Sequence, residues 1–137
     1  MPPLFLLDTN VVSDFFKHRA EVTTRFQSAA PSSLAISALT VMEIEYGFER
    51  QPAARSRFGT LWSALQYDLA VLPFETPDAL STARVRAHLA RLGTPIGPFD
   101  LQLAGTALAR GLILVTHNRA EFERVPDLAL EDWWTAP

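Results

Sequence analysis

Apolar residues fall along this chain in blocks of two kinds. "LFLL" at 4–7, "LAIS" at 34–37, "LAVLPF" at 69–74, "LILV" at 112–115 and "LAL" at 128–130 are too short for helices and predict buried strands. Between them the apolar positions recur every three or four residues. Val11, Val12, Phe15 and Phe16 open the first such stretch. Others cover 21–29, closed by Pro31, then 39–50, 53–67, 76–92 and 99–110. Thr76-Pro77-Asp78 predicts a helix start, with Thr76 as N-cap, Pro77 at the first helical position and an acid in the first turn. Gly93 and Gly111 are placed to end the last two helices.

Strands alternating with helices imply crossover connections. The expected fold is α/β: one domain over 1–137, with a mainly parallel central sheet and helices on both faces. No repeat, low-complexity tract or linker divides it. A length of 137 residues, 48% hydrophobic and 20% charged, suits a soluble domain with a real core. No apolar run approaches the roughly 18 residues a membrane span needs, and the start lacks the basic region and cleavage site of a secretory signal. Cysteine is absent, which excludes disulfides and thiolate metal sites. A cytoplasmic protein that does not engage membranes is expected.

A net charge of −3 argues against coating nucleic acid by bulk charge. The distribution is uneven, however. Seven arginines (50, 55, 57, 84, 86, 91, 110) face four acids between Arg50 and Arg110, whereas five acids and only Arg124 follow from Glu121 onward. A local basic surface is compatible with the acidic whole.

In such a sheet, strand C-termini and the starts of the following helices share one edge, where open α/β folds bind ligands. Asp8 ends the first strand, Glu43 lies early in the helix after the second, and Asp100 opens the helix before "LILV". Asn118 and Glu121 follow that strand. Each has a structural role to hand. Asp8 or Asp100 can cap its helix, Glu43 can complete a Thr40-Val-Met-Glu43 capping box, and Glu121 can be a surface residue. Taken together, those roles weaken. Two carboxylates about 4 Å apart repel by roughly 4 kcal/mol at an effective dielectric near 20, whereas a helix N-terminus returns only about 0.3–1 kcal/mol. Converging acids therefore take up protons or need a cation. The single lysine, Lys17, is near none of them in sequence. Hard oxygen donors without cysteine or clustered histidine favour Mg²⁺, or Mn²⁺, over zinc.

Three stretches, "LLDTNVVSD" at 6–14, "ISALTVMEIEYG" at 36–47 and "GTPIGPFDLQLAGTALARGLILVTHNRAEFERVPDLALEDW" at 93–133, resemble the PIN-domain family, specifically the VapC-type toxins of toxin–antitoxin pairs. The resemblance covers essentially the whole chain. It implies a metal-dependent endoribonuclease acting on RNA, a VapB-like antitoxin as partner, and a homodimer. Asp8, Glu43 and Asp100 match the family's acidic residues. Many members carry an aspartate at the position of Asn118, while a "TxNxxEF" subset, matched here by residues 116–122, uses the glutamate. Glu121 accordingly receives the acidic role and Asn118 a supporting one.

In the expected mechanism Asp8 and Asp100 hold one Mg²⁺, and Glu43 ligates it or orients the attacking water. Glu121 holds a second ion or a water. Thr9, Asn10, Thr116 and Asn118 steady the carboxylates by hydrogen bonds. His117 is read as a hydrogen-bonding or surface residue rather than a base. Arg84, His88 and Arg91, spaced i, i+4, i+7 on one helix face, either track RNA phosphates or form a solvated face. Trp133 and Trp134 pack on the core or a partner, or stack on bases. Phe15, Phe16, Tyr46 and Phe48 exceed what one small core needs and suggest a dimer interface and an antitoxin groove. A catalytically silent PIN-like module binding RNA or protein is the alternative. A phosphoryl-acceptor domain is disfavoured, because it wants a nearby lysine or a second aspartate where Asn10 stands.

Overall fold

A computed structural model describes residues 2–134. Strands and helices alternate in the order β1 (Phe5–Leu7), α1 (Thr9–Phe16), α2 (Ala20–Ser28), β2 (Leu34–Ser37), α3 (Ala38–Arg50), α4 (Pro52–Asp68), β3 (Ala70–Leu72), α5 (Thr76–Leu92), α6 (Pro98–Arg110), β4 (Ile113–Val115), α7 (Arg119–Phe122) and β5 (Leu130–Glu131). The five strands form one sheet in the order β3-β2-β1-β4-β5. Every pairing is parallel, so the sheet goes beyond the mainly parallel expectation.

The strands alternate between two cores, as a period of two requires. Leu7, Leu34, Ile36 and Val115 face a core built with α1–α4, including Val12, Phe16, Phe48 and Trp62. Leu6, Ala35 and Leu114 face the other, built with α5–α7, including Leu89, Leu103, Ala104 and Phe122. Helices therefore cover both faces. Phe16 and Phe48 lie inside the first core and Phe15 stacks on Phe26. These side chains are not the interface surplus the sequence suggested; of that group only Tyr46 remains exposed. The central strands β1, β2 and β4 are largely buried, whereas β3 and β5 at the sheet edges are not: Val71 of β3 is 40% exposed, so the third strand is not the buried one its apolar run predicts.

Local expectations are corrected at the start of α5 and at the last strand, and one short helix is added. Thr76 is the first residue of α5, not its N-cap; Glu75 caps the helix and exchanges hydrogen bonds with Asp78 in a reciprocal box. That register frees Asp78 to take Arg110 from α6, at 3.2 and 3.0 Å. The four-residue helix α7 has no period from which to be predicted. The last strand starts at Leu130 rather than at 128. The two glycine stops hold: Gly93 and Gly111 take left-handed φ of 68° and 65° after α5 and α6.

β1 is the pivot of the sheet. The chain moves outward from it through β2 to β3, then crosses back to place β4 and β5 on its other side. The crevice beyond the C-terminal ends of β1 and β4 is thus the topological switch point of the fold.

Candidate active site

Asp8 leaves β1 at that crevice and caps α1. Its amide donates to Val115 O at 2.9 Å, tying the residue to β4. Its carboxylate is 6% exposed. Oδ1 accepts from Thr9 N at 2.7 Å, and Oδ2 from the Thr116 hydroxyl at 2.8 Å. Burial raises the pKa of Asp8 above the ordinary aspartate value, against the pull of the Thr116 and Thr9 hydrogen bonds, and Glu43 adds to the rise.

The Thr9 hydroxyl reaches across to α3. It donates to Glu43 Oε1 at 2.8 Å and sits 3.1 Å from the Thr40 hydroxyl. Ser37 is the N-cap of α3, accepting from Leu39 N at 3.0 Å. Thr40 is consequently inside the helix and fully buried, and the capping box expected for Glu43 does not form. Thr9 instead aims Glu43 toward Asp8.

Thr116 ends the β4 segment, with its amide on Glu131 O at 3.0 Å. Its hydroxyl accepts from Asn118 N at 3.0 Å while donating to Asp8. Asn118 caps α7 without a side-chain capping bond, and Glu121 lies in the first turn of that helix. Asp100 occupies the first turn of α6, whose N-cap is Gly97, so it does not cap its own helix.

Burial and a hydrogen bond that protonated Asp100 donates to Glu121 raise the pKa of Asp100 to about 7, helped by the charges of Asp8, Glu121 and Glu43. Two carboxyl groups bond in this way only by sharing a proton. The four acids therefore lie within one another's field. Among the described residues none of the four enters an ion pair; the nearest arginine in sequence, Arg119, pairs with Glu123 at 3.2 Å. Asn10 Oδ1 is buried beside Thr9 with no hydrogen-bond partner, and so is Asp14 Oδ2 four residues on, along the same helix face. Asp14 was passed over in the sequence, where only its i+4 spacing from Asn10 could have marked it.

The donor set fits a hard divalent cation in its chemistry: carboxylate and amide oxygens, with Asn10 Oδ1 lacking a hydrogen-bond partner among the described residues. The side chains as they stand do not close around a point. Among the described residues no three histidine, aspartate or glutamate side chains form a group able to hold a metal ion.

The other expected residues lie outside this cluster. His117 Nδ1 is 3.2 Å from Asp132 Oδ2. Trp133 is buried in the first core. Arg84 and Arg91 are exposed on α5 and His88 is half-buried. Arg84 lies beside Leu108 and Ala109, at the end of α6 remote from Asp100, whereas Arg91 is in the last turn of α5, just before the loop leading to Asp100. A cavity of about 450 Å³ between α5 and α6, lined by Leu89, Ile96 and Leu101, takes in none of the four acids.

The PIN-domain family profile matches residues 5–128. The chain is 40% identical over 129 residues to the tRNA(fMet)-specific endonuclease VapC of Salmonella typhimurium, spanning 94% of this chain and 97% of that protein. It is 34% identical over 130 residues to Ribonuclease VapC2 of Haemophilus influenzae, spanning 94% and 97% respectively. The crystal structure of DNA-bound VapBC from Salmonella typhimurium contains a chain that superposes with a TM-score of 0.87 at 39% identity, covering 96% of this chain and 98% of that one.

Proposed function

This chain belongs to the PIN-domain family, in its VapC branch, and from that premise we propose that it is the endoribonuclease toxin of a VapBC-type toxin–antitoxin pair, cutting RNA with the help of Mg²⁺ or Mn²⁺. One observation supports the reading: Asp8, Glu43 and Glu121 each act through their charge on Asp100 at the switch-point crevice, and among the described residues none of the four enters an ion pair. Structural carboxylates are normally neutralised where they cluster.

Asp8 and Asp100 are the residues to hold the ion, with Glu43 and Glu121 beside them and Asn10 Oδ1 as a further oxygen. A bound divalent ion supplies charge neutralisation at the phosphate and a nucleophilic water near neutral pH. The protein's part is orientation. Thr116 and Thr9 fix both oxygens of Asp8. Thr9 holds one oxygen of Glu43, leaving Oε2 to orient the attacking water. Water oxygen bonds to phosphorus and the bond to O3′ breaks, leaving a 5′-phosphate and a 3′-hydroxyl. Arg84, His88 and Arg91 are the proposed phosphate contacts along α5. The name of the Salmonella typhimurium relative makes tRNA the first substrate to try. A VapB-like antitoxin is the proposed partner, and a homodimer the proposed assembly.

Asp8→Ala and Asp100→Ala are each expected to abolish Mg²⁺-dependent RNA cleavage and toxicity in cells while circular dichroism shows the fold retained. Wild-type cleavage by Asp100→Ala would overturn the assignment. The unclosed ligand set favours a second reading, a silent RNA- or protein-binding module. It requires that the wild-type protein leave RNA intact with either ion.

A further inference from the structure

His117 follows Thr116 directly, so it stands one residue from the hydroxyl that holds Asp8. Its imidazole is fixed from two directions. Asp132, with a side chain only 6% exposed, places Oδ2 3.2 Å from Nδ1. The ring also stacks on Trp134, with centroids 3.5 Å apart and planes 23° from parallel. Asp132 secures that partner too, since its Oδ1 accepts from Trp134 N at 2.9 Å. On Trp134 the Arg19 guanidinium carbon stands 3.9 Å from the ring centroid. Two groups so close to one ring occupy opposite faces, giving a three-layer stack of Arg19, Trp134 and His117.

This arrangement settles what the stack can offer. Trp134 has no free face for a nucleobase. The outer face of His117 is open, its side chain 44% exposed, and that of Arg19 is 43% exposed. An aromatic plane already held in place loses little side-chain entropy when a ligand stacks on it. Behind the ring, Arg19 brings a guanidinium that pairs only at 3.7 Å with the exposed Glu21. An anionic chain carrying aromatic bases suits that combination better than a second protein does, because base faces stack on aromatic side chains whatever their sequence. Unstacked bases of single strands are the ones free to do so.

We propose that the outer face of His117 is a stacking platform for one nucleobase of single-stranded RNA next to the bond to be cut, with Asp132 and Trp134 as its positioning residues. The inference rests on the nuclease reading for the identity of the cut bond, and on the stack itself for the platform.

The test compares His117→Ala, His117→Phe and wild type in two assays. One is cleavage of a short single-stranded RNA with Mg²⁺, read as KM and kcat. The other is fluorescence anisotropy in EDTA with the same labelled RNA and with an abasic chain of equal length. The Ala variant should raise KM and weaken RNA binding roughly tenfold, the size of one lost base–aromatic stack, with kcat nearly unchanged. The Phe variant should restore both values, and the abasic chain should bind all three proteins alike. The platform is overturned if Phe behaves as Ala does, or if the abasic chain suffers the same loss. Unchanged RNA binding by the Ala variant overturns it as well, even where binding of a co-expressed antitoxin falls. If wild type binds RNA through His117 yet cuts nothing with Mg²⁺ or Mn²⁺, the platform stands and the nuclease reading fails.

Discussion

At Asp100, burial and three neighbouring carboxylates all push in one direction, toward holding a proton up to about pH 7. The sign of the consequence follows from linkage. Between the ordinary aspartate value of 3.8 and about 7 the folded protein binds more protons at this site than the unfolded chain does. Stability without a divalent ion should therefore fall as pH rises through that window. Asp8, also raised, adds to the same slope. Melting in EDTA across the window should show the decline in wild type and a shallower one in Asp100→Asn. Added Mg²⁺ should flatten it by replacing the proton. A wild-type melt that rises steadily through the window would contradict the raised pKa of Asp100. At this scale much was legible in the sequence, because Asp8, Glu43, Asp100 and Glu121 sit where strand ends and helix starts dictate. The contacts were not: the Thr9 bond that turns Glu43 from a cap into a site residue joins positions 34 apart in sequence. Asp132 is tied to His117 across 15 residues, with no local pattern to announce it.

Among the elements, α5 and α6 pack closely enough that position 105 has no room for a side chain. A Cβ built on Gly105 of α6 would meet the backbone nitrogen and Cα of Thr82 in α5 at 2.7 and 2.8 Å. Backbone cannot step aside as a side chain can, so Gly105→Ala must part the helices. A loss of about 1–3 kcal/mol is expected, the usual cost of overpacking, measured by urea unfolding; Gly47→Ala, where a Cβ meets nothing within 4 Å, is the control. Equal stability of the two variants would contradict the close packing. The glycine stops and most helix spans were readable because caps and period are local signals. The start of α5 was misread by one residue, because the buried Asp78–Arg110 link that favours the Glu75 cap lies 32 positions apart in sequence.

For the molecule as a whole, charge distribution matters more than the net value of −3. Of the basic run between Arg50 and Arg110, Arg55 is engaged by Glu45 and Glu49, and Arg110 by Glu75 and Asp78. Arg84, Arg86 and Arg91 enter no such pair among the described residues, so α5 carries unpaired positive charge along its length, with Arg91 the one toward the loop that leads to Asp100. Reversing two of these charges, Arg84→Glu with Arg91→Glu, should weaken RNA binding more at low salt than at high salt, since phosphate contacts release counterions. A titration series at several salt concentrations measures it, and equal losses throughout would remove α5 from the RNA path. The sheet's order has a further outcome, in time rather than space. β1, with Asp8 at its tip, is made first, but its neighbour β4 emerges only after residue 112, and Thr116 and Glu121 follow it. A nascent chain halted before that point carries Asp8 without the hydroxyl that aims it and lacks an acid of the crevice.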